Sequence, residues 1–353
     1  MEQKVIFTSD INYSLSEYIS DLSNDRIFIL TDTTTKSKSL PLLKPFLDQN
    51  TDIYEITIGN GDESKNIESL NHIWTELSRH GATRSSLMIN LGGGMITDIG
   101  GFAAATFKRG INFINVPTTL LGAVDAAVGG KTGINLNGLK NEVGSFAPAA
   151  QVYITTEFFE TLDCENLLSG YAEMIKHGLL DSENYYNRLL DHDVCSKDFK
   201  SLLPLLEESV NIKRRVVEID PTEKGLRKAL NLGHTVGHAF ESYCLKRNKP
   251  VLHGYAVAWG IVCELILSVK QCGFPSETLH RTARFVKEHY PVAYFGCKDY
   301  DELYEYMTHD KKNDSGFINF TLLKNFGDIE LNQTATRENI DIMFDIFRDL
   351  AGI

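Results

Sequence analysis

The stretch "SLMINLGGGMITDIGG", residues 86–101, sets a short apolar run against three consecutive glycines and then a segment with helical spacing. A strand that ends in glycines and turns into a helix is how a nucleotide-type α/β sheet begins. Glycines let the backbone approach a pyrophosphate, and the helix N-terminus offers N–H groups and the positive end of its dipole. The dinucleotide fingerprint is incomplete, because Gly92 and Gly94 fit G-x-G but the third glycine position is Thr97. A tight strand-to-helix turn accounts for the same residues, so the motif alone leaves nucleotide binding open.

Around this stretch the first half alternates β-branched runs with helical segments. "RIFILTD" (26–32), "IYEITIG" (53–59) and "INFINVP" (111–117) read as further strands. Between the second of these and residue 86 lies "NIESLNHIWTELSRHG", whose apolar spacing of three and four predicts a helix closed by Gly81. Strand, helix, strand implies parallel pairing. From about residue 160 the texture changes to helical segments at 163–180, 183–191, 201–218, 227–246, 254–272, 276–289, 301–309 and 336–350, with one β-like interruption at 316–331. The expected fold class is α/β: a Rossmann-like domain over 1–160, then a mostly α-helical domain over 161–353.

Bulk composition narrows the function. Hydrophobic residues make up 42% of the 353, and no uncharged apolar run reaches the ~18 residues of a membrane span. The N-terminus lacks the basic and apolar segments of a signal peptide, so a cytoplasmic location is expected. Lys+Arg 35 against Asp+Glu 47 gives −12, with no basic tract, which disfavours nucleic acid as a partner. A small anionic substrate stays compatible, since a few local lysines outweigh a global excess of acid. Six scattered cysteines without a C-x-x-C pair argue against a disulfide framework or a cysteine-rich zinc site.

A second loop, "DAAVGGKTG" (125–133), ends like a Walker A motif but has Asp125 where the leading glycine belongs. Gly129, Gly130 and Lys131 still make an anion cradle, joined further on by Lys140 and Asn141 in "GLKNEVGSF". For a catalytic metal, three nitrogen or oxygen ligands on firmly packed elements are required. His72, His80, His192, His280 and His289 lie in stretches that read as solvated; His177, His234, His238, His253 and His309 remain. "SGYAEMIKHG" puts Glu173, Lys176 and His177 on one helical face, and "NLGHTVGHAFE" does the same for His234 and His238. His253 opens the apolar segment "HGYAVAWGIVCELIL". Spacing nominates His234/His238 or Glu173/His177 as i, i+4 pairs and does not choose between them.

In order along the chain stand GGG-x3-D, PTTLL, D-x4-GGK-T, LKN, AE-x2-K, "KGLRKALNLGHTVGHAFE", HG-x-AVA and DKK. Any one is weak, but eight in order, over about residues 60–330, closely resemble the 3-dehydroquinate synthase family of sugar-phosphate cyclases. The resemblance implies a carbon–oxygen lyase of the shikimate pathway that uses NAD and a divalent metal, zinc or cobalt. Its substrate would be a sugar-acid phosphate, 3-deoxy-D-arabino-heptulosonate 7-phosphate.

It also implies roles by position. The metal ligands fall on Glu173, His234 and His253. NAD would be held by Asp32, Asp62, Lys65, Gly93, Gly94 and Asp98, with Thr118, Thr119, Lys140 and the Thr161–Leu162 turn. Asp125 and Lys131 would serve both cofactor and substrate. Substrate groups would further meet Asn141, Lys176, Lys213, Arg227, Asn231, His238, His253 and Lys312. Of these, Lys131, Lys176, Arg227, Asn231 and His238 would carry the chemistry. Arg109 matches an arginine that reaches a neighbouring subunit's phosphate site, which implies a homodimer. Two positions depart from the family pattern at the cofactor edge: Thr34 replaces an asparagine, and Asp62 a glutamate. The nearest rivals are another cyclase with the same cofactor and metal, and a glycerol-type metal-dependent dehydrogenase. Arg227 and Asn231 suit a carboxylated substrate and argue against the first, while the dense set of phosphate- and carboxylate-binding residues argues against the second.

Overall fold

In the computed structural model, which describes residues 3–20, 25–50, 52–137, 139–308 and 318–353, the chain divides into two units at Asp163/Cys164. That division lies three residues beyond the expected one.

Unit 1 is built on a six-stranded parallel sheet: β1 (Lys4–Phe7), β2 (Ile27–Asp32), β3 (Ile53–Ile58), β4 (Leu87–Gly92), β5 (Asn112–Pro117) and, after a hairpin of β6 (Lys131–Leu136) and β7 (Leu139–Phe146), β8 (Gln151–Ile154). The strand order is β1-β8-β5-β4-β2-β3. The helices are α1 (Ile11–Ser20), α2 (Thr33–Lys38), α3 (Lys44–Asp48), α4 (Ile67–Arg79) and α5 (Gly94–Thr106). Every residue of β2 and β4 is buried, which is why both read as continuous apolar runs rather than alternating ones. The chain leaves β2 towards β3 on one side, then returns through β4 to β5 on the other. The switch point therefore lies between β2 and β4, where α/β sheets bind their ligands.

The incomplete fingerprint has a physical explanation here. Thr97 is tolerated at the third position because its hydroxyl donates back to the Gly94 carbonyl at 3.0 Å. Close helix–sheet packing passes to Gly100 one turn on, where a Cβ would overlap Asn90 Oδ1 and lie 2.8 Å from Leu30 Cδ2.

Unit 2 contains α6 (Cys164–Asp181), α7 (Glu183–Asp191), α8 (Phe199–Ile219), α9 (His234–Lys246), α10 (His253–Cys272), α11 (Ser276–His289), α12 (Tyr300–Thr308) and α13 (Arg337–Ala351). The β-like interruption is an antiparallel pair, β9 (Phe320–Asn325) and β10 (Asp328–Gln333). Among the described residues α10 alone is long and apolar enough to cross a membrane, but 72% of its apolar stretch is buried inside the protein, as befits a core helix.

Two expectations need correction. The single helix predicted over 227–246 is a 3-10 segment, Leu226–Asn231, followed by α9, because Gly233 at φ 81° breaks the path between them. The reading against a disulfide framework needs one exception, since Cys164 and Cys195 form a disulfide at the start of α6.

Candidate active site

In unit 1 Asp32, Gly93, Gly94, Thr118 and Thr119 stand at or just past the carboxyl ends of β2, β4 and β5, whereas the Thr161–Leu162 turn follows β8. Asp32 ends β2 and caps α2, its Oδ1 accepting from the N–H groups of Thr34 at 2.7 Å and Thr35 at 2.8 Å. Gly93 is the N-cap of α5 and offers no side-chain cap, so the first turn of that helix presents bare N–H groups. A Cβ on Gly94 would come within 2.9 Å of the Ala126 methyl, so the glycine is needed for close approach. Thr118 donates its N–H to the Gly92 carbonyl at 3.0 Å, and Thr119 Oγ1 accepts from Gly122 at 2.9 Å.

A buried ion pair anchors this edge. Lys65, 4% exposed, donates to Asp98 at 2.6 Å and also to the side-chain oxygen of Asn141. Asn141, matched to the substrate, is thus brought to the cofactor-matched Lys65 and Asp98. It adopts φ 51°, a left-handed conformation that asparagine tolerates. Lys140 lies 3.5 Å from Asp62, both exposed. Asp125 sits in the wide turn Gly122–Ala126, and Lys131 begins β6 after Gly129 and Gly130, both at positive φ. Thr161 and Leu162 close the 3-10 turn Glu157–Thr161, with the Leu162 N–H donating to Phe159 at 3.0 Å. Thr34, one of the two departures, accepts from the Asn60 amide at 3.4 Å. Arg109 and Lys108 stand at φ 67° and 50° before β5, lining an open basic cleft with Arg84.

In unit 2, three helices supply one group each to a single point. Glu173 comes from the middle of α6, while His234 and His253 are the first residues of α9 and α10. Their convergence depends on glycine. A Cβ on Gly260 would run into the Gly233 carbonyl and lie 2.7 Å from the Gly237 nitrogen, and one on Gly254 would strike the Ser169 backbone. Without side chains at these points, α9 and α10 pack backbone to backbone, and α10 closes on α6. Glu173 Oε1 then lies 3.4 Å from His234 Nε2 and 3.5 Å from His253 Nε2. All three donor atoms fall within 4.8 Å of one another.

Electrostatics point the same way. Glu173 is fully buried and ion-paired with Lys176, itself 1% exposed. Burial opposes charge on His253, but the carboxylates of Glu241 and Glu173 outweigh it and raise its pKa to about 10.

Around this trio stand the remaining matches. The His238 ring is 5.4 Å from that of His234 and 6.1 Å from that of His253. Arg227 is 3% exposed; its backbone N–H donates to Asp220 Oδ2 at 3.1 Å and its guanidinium to the Pro221 carbonyl at 2.7 Å. The Asn231 amide donates to Glu223 at 2.9 Å. Lys213 is buried on α8. His177, the other half of the Glu173 pair, turns to Ser209 at 2.8 Å. Lys312 and His309 lie outside the described residues.

Sequence reasoning missed three carboxylates. Glu223 meets Asn231, and Glu241 meets His253 Nδ1 at 3.1 Å. Glu264, fully buried on α10, accepts from the Gly233 N–H at 2.7 Å and from that of Val236 at 3.4 Å. It thereby supplies the N-terminal cap that α9 lacks from its own side chains. A glutamate inside an apolar helix run was the available signal for Glu264.

Two family models match end to end, 3-dehydroquinate synthase N-terminal over residues 55–169 and C-terminal over 170–313. A 3-dehydroquinate synthase of Parabacteroides distasonis is 55% identical over 353 residues, covering 100% of this chain and 99% of that one. The chain belongs to the 3-dehydroquinate synthase family. Its activity is that of 3-dehydroquinate synthase, a carbon–oxygen lyase of aromatic amino acid biosynthesis.

Solved structures agree on the fold. The 2-epi-5-epi-valiolone synthase of Streptomyces hygroscopicus, solved with NAD+ and Zn2+ bound, superposes with TM-score 0.88 at 23% identity, covering 99% of this chain and 97% of that one. A 2-deoxy-scyllo-inosose synthase, complexed with carbaglucose-6-phosphate, NAD+ and Co2+, gives 0.87 at 21%, covering 98% and 96%.

Proposed function

We propose that the chain converts 3-deoxy-D-arabino-heptulosonate 7-phosphate to 3-dehydroquinate and phosphate in the cytoplasm, with NAD and a divalent metal, zinc or cobalt, as resident cofactors. The observation that carries this reading is the meeting of Glu173, His234 and His253 beside buried Lys176. One carboxylate and two imidazoles are a donor set for such a metal, leaving a position open for substrate. Glu173 Oε1 at 3.4 Å from His234 Nε2 and 3.5 Å from His253 Nε2 is close enough for the three groups to share one ion. The uncapped start of α5, with Gly94 held against Ala126, fits a pyrophosphate equally well.

When bound, NAD takes up and returns a hydride at a ring carbon while the metal polarises the oxygen there, so no external redox partner is needed. The chain's own groups do the rest. In unit 1, Lys65 and Asp98 fix the cofactor edge, Asp32, Asp62 and Lys140 hold its polar groups, and Lys131, Asp125 and Asn141 add charge and hydrogen bonds for cofactor or substrate. In unit 2, Lys176 and Lys213 offer ammonium groups to substrate oxygens, Arg227 and Asn231 take the carboxylate, and His238 moves a proton or hydrogen-bonds the substrate. Lys312 would add a further ammonium. The lysines explain how a chain of net charge −12 recognises a doubly anionic substrate.

Phosphate release tests the reading. With catalytic NAD, purified protein is expected to liberate one phosphate per heptulosonate phosphate and accumulate no NADH. A chelator should stop the release, and added zinc or cobalt should restore it. Stoichiometric NADH would replace this reading with a simple dehydrogenase.

Arg109 bears on assembly. A lone arginine before a strand is ordinarily solvated; we propose instead that it completes the phosphate site of a second copy. Mixing Arg109→Ala with Lys176→Ala protein should then recover activity, because one site in each heterodimer is intact. Mixtures as inactive as both parents would remove the role in trans.

A further inference from the structure

We infer that Glu241 is the positioning residue of the metal centre, holding His253 with its Nε2 turned towards Glu173 and His234. Glu241 lies on α9 two turns beyond His234, so one helix supplies both a ligand and the carboxylate that orients another ligand. Its Oε2 is 3.1 Å from His253 Nδ1, and its side chain is 12% exposed. On the far side of the same ring, His253 Nε2 is 3.5 Å from Glu173 Oε1.

A neutral imidazole carries one proton and one lone pair. If Nδ1–H donates to Glu241, the lone pair must sit on Nε2, the nitrogen that faces the other two donors. The carboxylate also makes that lone pair a stronger donor by stabilising positive charge on the ring. His253 stands at the first residue of α10, and a partner at Nδ1 fixes the ring's orientation there.

A rival arrangement exists in the same space. His238, Glu241 and His253 also bring three donor atoms within 4.8 Å of one another. The two groups share His253, and one neutral ring cannot give a lone pair to both. Glu241 as an orienting carboxylate and Glu241 as a ligand are therefore exclusive, and metal stoichiometry separates them.

The inference rests on the reading that Glu173, His234 and His253 hold a divalent metal, and the test keeps the two apart. Wild-type, Glu241→Gln and Glu241→Ala proteins are stripped with chelator and titrated with cobalt(II) against a chelating dye. The visible absorption of the bound ion and the melting temperature of each metal-free protein are recorded in parallel. Wild type is expected to bind one equivalent. Glu241→Ala should bind ~10–100-fold more weakly with a shifted absorption band, the usual cost of losing a histidine's outer partner. Glu241→Gln keeps an acceptor for Nδ1–H and should recover most of that affinity, with all three metal-free proteins melting alike. An alanine variant with wild-type affinity and spectrum overturns the inference. Two equivalents on wild type, one of them lost in the alanine variant, overturn it in favour of a second site. Wild type that binds none removes the metal reading itself.

Discussion

Purified His234→Ala protein is expected to emerge from dialysis without metal and to turn over ~10³-fold more slowly or worse, whereas His238→Ala should keep its metal and still lose ~10²–10⁴-fold in turnover. The two histidines share one face of α9, and spacing alone makes them equivalent. Their neighbours do not. His234 Nε2 is 3.4 Å from Glu173 Oε1, and its ring centroid is 5.3 Å from that of His253. Removing it leaves two donors, too few for a stable site, and a buried carboxylate without its cation. His238 stands one turn along, outside the Glu173 group, and is half-buried. On the proposed reading Glu173, His234 and His253 would already supply three ligands, and a fourth would compete with substrate. Metal content by elemental analysis, measured beside single-turnover rates, distinguishes the two roles. A His238→Ala protein that emerges metal-free would make the pair true co-ligands.

What was legible beforehand follows from how local each feature is. Strands β2, β4 and β5 could be read because central parallel strands are buried on both faces and spell near-continuous apolar runs. Strand β3, at the sheet edge and only partly buried, was legible from its β-branched residues. β1 and β8 escaped because each is only four residues long and neither stands out from its surroundings. The β6–β7 hairpin was hidden by glycines that weaken any strand signal: a Cβ on Gly133 would lie 2.6 Å from the Val143 carbonyl. The break at Gly233 was invisible because apolar spacing continues through it, with Leu232 extended and Gly233 left-handed.

The trio of Glu173, His234 and His253 shows the same limit. Sequence spacing offered two i, i+4 pairs, and the structure takes one member from each and adds His253 from a third helix. Nothing local selects that combination. It is set by where α9, α10 and α6 touch through Gly233, Gly260 and Gly254, which is a tertiary fact. Only the ordered motifs of a family carried it in advance. Glu241 was missed for the same reason, since on its own helix it reads as one more polar residue. The Cys164–Cys195 pair, 31 residues apart, meets only because the short turn after α7 returns to the start of α6.

Arg227→Leu is expected to lower kcat/KM for the carboxylated substrate by ~30- to 4,000-fold, the equivalent of the ~2–5 kcal/mol lost when one partner of a buried charge pair is truncated. The magnitude follows from placement. Arg227 is 3% exposed on the 3-10 segment before Gly233, and that segment is pinned by Asp220, whose carboxylate accepts the N–H groups of Lys224 at 3.0 Å, Gly225 at 2.7 Å and Arg227 at 3.1 Å. These bonds all come from backbone N–H groups, so leucine keeps them and the segment should hold its shape. What leucine removes is the guanidinium, one of whose nitrogens bonds the Pro221 carbonyl at 2.7 Å, with four further N–H groups in its fixed fork. Arg227→Lys sharpens the test, since it keeps the charge and loses the planar pair of donors. If bidentate carboxylate recognition is the role, lysine should restore only part of the loss. Both losses should appear mainly in KM, with metal content unchanged. The decisive comparison uses a substrate analogue without the carboxylate. Leucine should penalise it little, because there is no carboxylate for the arginine to bind. Equal losses on both substrates, or none on either, would return the cyclases of non-carboxylated sugars to consideration.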